Sequence, residues 1–566
     1  MGTSRSSTAA LAGQTESPSD ISDGALQDLI QGALAAVKAE SYQTAAELAI
    51  KALNIDERNG HAWYLLGLAR EKIGDPKSAI AAYEAALTLM PAQLDIATDI
   101  GRLNFQLGQM APAASFFVRV HAAHPGVGSA NNLACALREL HEFDEAIEIL
   151  RPAIQAHPGS ALLWNTLGTV LDHRGDPAGA LTFFEEALRL DPGHVKARCN
   201  LGGARLALGD AAGSLADCDA AMALTTSPAE LAFMRLARST ILFCQGRVGE
   251  GWDDYEARID PYLADGTQFL LDRPPWDLTS DITGKSLLLF GEQGLGDSVS
   301  FAGIVPDLLH ELGPDGRLTI AVEPRLITLF QRAFPSTAIV ALSGFKHNSR
   351  FVRTLPNIDP STFDLWTPMA SPHRRYRRAL ADYPNPPRIL VADPDRVAHW
   401  RDVLAALPGL KVGLAWKSLN LDGVRSKFFP TFETMGPVLQ TPGVNFVNLQ
   451  YGDCDAELKA AHDLFGVDIW RPPGIDLKDD LEEVAALSCA MDVVLGPANA
   501  TTSIAASCGA SLWMIIPPAA WPCHGTDRYV CYPRSRGFVA AGYGQWDEVI
   551  YRVATALTEE VKLTPR

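Results

Sequence analysis

Glu292 and Asp297 flank Gly294 and Gly296 in GEQGLGD, residues 291–297, directly after the apolar run SLLLF. A carboxylate held in a flexible turn at the end of a strand suits a general base that takes the proton of an attacking hydroxyl, and the glycines let backbone approach a substrate. Asp297 and Glu292 are both candidates, Glu292 also reading as a partner for an arginine or a helix terminus on the rim. Two further stretches carry anion-binding residue types. WKSLNLDGVRSKFFPTFE, 416–433, supplies Lys417, Arg425, Ser426 and Lys427. GPANATTSIAASCGA, 496–510, places Asn499, Thr501, Thr502 and Ser503 where a helix of small residues begins after a strand. A helix N-terminus with adjacent hydroxyls favours an anion, and lysine or arginine adds charge-assisted hydrogen bonds. Taken together these groups suit a nucleotide phosphate; taken singly they also read as an N-cap and surface ion pairs.

Other chemistries find no pattern. The phosphate-loop motif GxxxxGK[ST] and the dinucleotide motif GxGxxG are absent from the turn at 291–297. Nine scattered cysteines without a CxxC pair read as reduced thiols rather than a zinc site. The triplet Asp393-Pro394-Asp395 falls in an expected linker, so no metal is expected. Residues 1–270 carry 20 Lys and Arg against 33 Asp and Glu, and residues 271–566 carry 28 against 33. The acidic first half is therefore a poor grip for nucleic acid. RRYRR, 374–378, reads as a solvated loop or an anion contact. The first residues show no apolar leader, and no stretch reaches the length of a membrane helix, so a cytoplasmic protein without a membrane span is expected.

The elements that must position these residues alternate. Strands are expected at 286–292, 318–323, 337–342 and 363–368. They are expected again, after a linker at 383–395, at 411–417, 445–451, 468–472, 492–496 and 511–517. Helical stretches lie between them, the pattern of parallel sheets wrapped by helices. Two Rossmann-like halves, 271–390 and 391–566 with a terminal helix, would meet at a cleft outside the carboxyl ends of the strands. A disordered tail is expected over 1–23 and a boundary near 270.

Residues 24–265 show an internal repeat. Pro91, Pro125, Pro158 and Pro192 recur at intervals of 34, 33 and 34 residues. In the same register stand Ala79, Ala113, Ala146 and Ala180, then Tyr83, Phe117 and Phe184, with Gly67, Gly101, Gly168 and Gly202 on the preceding helix. Small residues let paired helices approach, aromatics fill the space between pairs, and proline stops the second helix. This resembles the tetratricopeptide repeat, an α superhelix whose groove implies a protein partner.

Trp276-Asp277, KSLLLFGEQGLGD, VGLAWK, RSKFFPTFE, NLQYGD and DLEEVAALSCAMDVVLGPANATT resemble the catalytic half of repeat-linked glycosyltransferases of the GT-B fold, which are related to heptosyltransferases and O-GlcNAc transferases. In heptosyltransferases a GD turn followed by helix and proline, here Gly296, Asp297 and Pro306, supplies the base. In O-GlcNAc transferases a K-x-x-P lysine and a His-Thr-Thr triplet hold the donor diphosphate, similar to Lys427 to Pro430 and Ala500-Thr501-Thr502 here. Alanine replaces that triplet's histidine, and the Asp-Thr-Ala-x-x-His version is replaced by Asn499 to Ile504. With Trp521 and GTDRYVCYP added, the combination resembles the flagellin glycosyltransferases of alphaproteobacteria. The resemblance implies a metal-independent enzyme without a resident cofactor. It would move a nonulosonic sugar such as pseudaminic or legionaminic acid from a nucleotide donor, CMP-linked in the reading that fits a lost diphosphate ligand, to Ser or Thr of flagellin held by the repeats. Hexosyl or heptosyl transfer to another protein or glycan, and an inactive scaffold or chaperone for a secreted protein, are the alternatives.

Overall fold

The computed structural model describes residues 18–563 apart from 264, 293, 348–349, 357, 385, 387, 419–426 and 533. The chain divides between Thr166 and Leu167 into two compact units. Most of the expected tail, residues 1–17, lies outside the described residues, and a helix begins at Pro18, inside the tail's expected span.

The first unit is helical: α1 (Pro18–Lys38), α2 (Tyr42–Ile55), α3 (Gly60–Ile73), α4 (Pro76–Leu89), α5 (Leu94–Gln106), α6 (Met110–Ala123), α7 (Val127–Glu139), α8 (Phe143–Ala156) and the start of α9 (Ala161–Arg174). Local chemistry sets the joints. Gly74, at φ 90°, closes α3 in the left-handed region; Asp75 then caps α4 by accepting from the Ser78 amide (3.2 Å), and Pro76 takes the first helical position. Pro91, Pro125 and Pro158 each fall two residues past a helix end, at the close of α4, α6 and α8. The repeat register packs as the spacing requires. A Cβ on Gly67 would lie 2.5 Å from the Tyr83 ring and one on Gly101 2.6 Å from Phe117, so the rings occupy the space that glycine leaves.

The second unit begins with the rest of α9 and continues through α10 (Pro177–Leu190), α11 (Val195–Ala207), α12 (Ala211–Leu224), α13 (Pro228–Cys244) and α14 (Val248–Tyr255). Strands and further helices follow in the order β1 (Thr267–Phe269), β2 (Ser286–Phe290), α15 (Leu295–Phe301), α16 (Val305–Leu312), β3 (Arg317–Val322), α17 (Ile327–Ala333), β4 (Ala338–Ala341), β5 (Ser343–His347), β6 (Arg350–Thr354), β7 (Leu365–Pro368), α18 (His373–Tyr376) and α19 (Pro394–Leu404). The chain then continues with β8 (Leu410–Leu414), α20 (Gly436–Leu439), β9 (Val444–Asn448), α21 (Asp455–Phe465), α22 (Leu481–Ala490), β10 (Val493–Pro497), α23 (Ala500–Ser507), β11 (Leu512–Ile516), β12 (Arg536–Val539) and α24 (Asp547–Leu563).

Two sheets are wholly parallel: β4-β3-β2-β7 and β12-β11-β10-β8-β9. Their near-continuous apolar runs are buried, as in a sheet covered on both faces. In the first sheet the strand order reverses between β2 and β7, in the second between β8 and β10. A small third sheet, β1-β6-β5, and the edge strand β12 were not expected. The expected strand at 468–472 shrinks to one bridge, Val447 to Trp470, because the Pro472-Pro473 pair that follows has no amide to extend the ladder.

The change near residue 270 is one of secondary structure, without a break in packing. Phe243, Val248, Trp252 and Tyr255 of α13 and α14 share one core with Leu287, Leu289 and Ile304. Within the segment 383–395, expected as a linker, residues 389–393 are packed. Leu390 is fully buried, the amides of Ile389 and Leu390 donate to the Ser507 carbonyl (2.8 and 2.9 Å), and Asp393 caps α19. RRYRR is solvated in part, with Arg375 and Arg378 exposed, and each arginine has a carboxylate partner: Arg374 and Arg378 pair with Asp253, Arg375 with Glu311, and buried Arg377 with Asp307.

Candidate functional site

A cavity of about 600 Å³ lies within the second unit, where the carboxyl ends of both parallel sheets feed their loops. Gly294 to Asp297 reach it after β2, His373 after β7, Ser418 after β8, Tyr451 after β9, Asn499 and Ala500 after β10, and Pro517 after β11. Both reversals of strand order thus face it, the position at which open parallel sheets hold ligands. Gly296 brings its two edges together: a Cβ there would lie 3.2 Å from the Ser503 hydroxyl.

The two candidate carboxylates of GEQGLGD part company. Asp297 lines the cavity, half-buried, on the third residue of α15, where it accepts from the Gly294 amide (3.2 Å). The helix starts two residues before it, so Gly294 rather than Asp297 is the N-cap. The charge of Asp297 is felt at Tyr529 and Cys531, whose ionisation burial already pushes up, to about 12 for the thiol. Glu292 is 2% exposed and does not line the cavity. Its oxygens accept from Arg258 Nε (2.7 Å), Arg258 Nη2 (2.9 Å) and the Ala370 amide (2.6 Å). With its lone pairs engaged, Glu292 holds structure together and is unavailable as a base.

The anion-binding candidates are only partly brought together. Asn499, Ala500 and Ser503 line the cavity. Thr501 and Thr502 are buried beneath it; Thr502 closes the cap of α23, its hydroxyl accepting from the Asn499 amide (3.0 Å) and donating to the Pro497 carbonyl (2.9 Å). Lys417 pairs with Glu457, and Lys427 with Asp172 (3.4 Å) beneath the Tyr543 ring. Neither lysine lines the cavity, and Arg425 and Ser426 lie outside the described residues. Among the described lining residues Asp297 is the one charged side chain. No three His, Cys, Asp or Glu side chains gather among the described residues as a metal site, and no described helix is long and apolar enough to cross a membrane.

Sequence reasoning missed the aromatic wall. Trp252, from the last repeat helix, donates from Nε1 to the Tyr383 hydroxyl (3.0 Å) and lies against His373 at 4.5 Å between ring centres. His524 stacks on Phe243 at 4.6 Å and neighbours Trp521. Burial and the nearby Arg377 push the His373 imidazole down to about 3, and burial does the same to His524, so both rings are neutral near pH 7. The available signal was a pair of histidines beside aromatic residues, in SPHRRYRR and WPCHGTDRY, but only packing shows that they converge.

Comparison with known proteins agrees with the repeat register. Tetratricopeptide repeat models match residues 60–93 and 131–195. Protein FlbA of Caulobacter vibrioides is 47% identical over 530 residues, 93% of this chain and 89% of that protein. The chain belongs to the FlbA family. Human tetratricopeptide repeat protein 7B is 32% identical over 120 residues, 21% of this chain and 14% of its own. A tetratricopeptide repeat protein from Parabacteroides merdae superposes with a TM-score of 0.38 at 16% identity, over 41% of this chain and 91% of that one. The FlbA match spans the aromatic wall and the GEQGLGD turn as well as the repeats, since it leaves out only 7% of this chain.

Proposed function

We propose that this FlbA-family protein is a metal-independent GT-B glycosyltransferase that moves a nonulosonic sugar from a CMP-linked donor to Ser or Thr of flagellin recruited by its repeats. The observation that carries this reading is the cavity at the strand-order reversals of two parallel sheets, with Asp297 as its single charged described side chain. In this reading the Asp297 carboxylate takes the proton of the acceptor hydroxyl as its oxygen bonds to the anomeric carbon, and the bond to the donor phosphate breaks with its electron pair leaving on the nucleotide. In this reading the start of α23, where Asn499, Ala500 and Ser503 line the cavity, faces the phosphate, a single phosphate group needing fewer partners than a diphosphate. Tetratricopeptide repeats commonly bind protein segments, which supports a protein acceptor.

Asp297→Asn should reduce transfer at least ~100-fold, because a positioned general base contributes about 10² to 10⁴. The measurement is the mass of flagellin produced with each variant in a strain lacking its own copy of the gene. Near wild-type modification by Asp297→Asn would remove the base from this residue. A scaffold without catalysis is favoured by one observation, the engagement of Lys417 and Lys427 in ion pairs away from the cavity. Wild-type protein that binds neither CMP nor UDP in calorimetry would turn the reading that way.

A further inference from the structure

One wall of the cavity offers two neutral imidazoles to a ligand. His373 Nδ1 lies 3.0 Å from the Ala370 carbonyl. A carbonyl only accepts, so Nδ1 carries the hydrogen and Nε2 keeps the lone pair. Among the described residues Nε2 has no hydrogen-bond partner. The ring is fixed between Trp252 (4.5 Å) and Phe301 (5.3 Å). Its anchor is fixed in turn, because the Ala370 amide is held by Glu292 and Glu292 by Arg258. The buried end of GEQGLGD thus acts at a distance on the cavity. His524 supplies an independent observation: it is 2% exposed, lines the same cavity, and its Nδ1 is buried without a partner among the described residues. An unpaired buried nitrogen is costly, and the stack on Phe243 at 4.6 Å holds the ring at the cavity wall in spite of it. The nearest described guanidinium groups are committed elsewhere, Arg258 to Glu292 and Arg377 to Asp307, so among the described residues an anion would meet no free cation on this wall.

We infer that His373 and His524 form a subsite for the uncharged, hydroxyl- or acylamino-bearing part of a sugar. His373 Nε2 accepts a hydrogen bond from a ligand O–H or N–H while Trp252 and Trp521 cover the apolar face of the ring. The inference rests on the sugar-transfer reading and deepens it: the donor's charged phosphate faces the α23 end and its neutral substituents face the imidazoles.

Two substitutions in the full chain separate the two ring nitrogens. His373→Asn keeps a donor near the Nδ1 position for Ala370 and removes the acceptor at Nε2; His373→Gln carries a carboxamide out towards the Nε2 position. The expected result is CMP affinity within twofold of wild type for both in calorimetry, flagellin modification reduced about 10-fold or more by Asn, the scale of one hydrogen bond, and partial recovery with Gln. His524→Asn should behave as His373→Asn does. Wild-type modification by His373→Asn overturns the inference. So does a parallel loss of CMP affinity and transfer with Gln no better than Asn, which assigns the ring to the nucleotide or to the fold. Wild-type protein that binds no CMP takes down the donor reading, and this one with it.

Discussion

Tyr83 in the first unit and Phe243 in the second fill the same kind of space with different consequences. Each ring packs where a glycine leaves room for it: a Cβ on Gly67 would lie 2.5 Å from Tyr83, and one on Gly251 2.6 Å from Phe243. Around Tyr83 the setting stays within the repeats, its hydroxyl donating to Glu71 (2.9 Å) and its ring lying 5.7 Å from Tyr64. Phe243 also stacks on His524 and meets Trp252 edge-on at 5.0 Å, so that the ridge becomes the backing of a cavity wall. One device, a ring over a glycine, completes a repeat in one place and backs a cavity wall in the other. What differs is which chain segment packs against the ring's remaining surface.

The strongest way to break this comparison is to cut the chain at two places. Removal of residues 1–166 should leave a unit that melts cooperatively and binds CMP, whereas removal of residues 1–265 takes away Trp252, Phe243 and Arg258 and should abolish cooperative melting. The point version is Arg258→Met, which leaves Glu292 charged and buried without its partner and should cost about 3–5 kcal/mol in denaturant unfolding. A stable, CMP-binding fragment 266–566 would return the last repeat helices to a separate domain.

A smaller effect sharpens the parallel itself. Gly67→Val and Gly251→Val both force a side chain into an occupied ring and should each cost about 1–3 kcal/mol of stability. Only Gly251→Val should also weaken flagellin modification at a temperature where the protein stays folded, because only its ring supports the cavity. Equal functional loss from Gly67→Val would erase the distinction between the two sites.

The smallest effects are expected where the sequence pointed most directly. The spacing suggests losses of about 1–3 kcal/mol in nucleotide affinity for Lys427→Ala and for Thr501 and Thr502 changed to alanine together. With Lys427 paired to Asp172 and Thr502 spent on its own helix cap, CMP affinity should change less than about threefold for Lys427→Ala. Thr502→Ala should appear instead as about 1 kcal/mol of lost stability, the scale of a broken cap. A tenfold loss of CMP affinity for Lys427→Ala would restore the lysine to the phosphate.

The helix pairs, the two parallel sheets and the turn carrying Asp297 were legible in the sequence, because each is written in nearby residues: proline every 33 or 34 positions, glycine one helix before an aromatic, apolar runs that end in glycine. The division of labour between Glu292 and Asp297 was not legible. They stand five residues apart with the same chemistry, and burial beside Arg258, 34 positions earlier, is what takes Glu292 away from the cavity. The ion pairs of the lysines were not legible for a related reason, since Glu457 and Asp172 lie 40 and 255 positions from Lys417 and Lys427 and no local pattern announces them. Sequence by itself determined the repeats, the alternation of strand and helix and the candidate carboxylate turn, all governed by periodicity and backbone preference. Only tertiary structure decided which charged groups are engaged by partners and that Trp252, His373 and His524 share one wall. Those outcomes depend on what distant segments exclude from water.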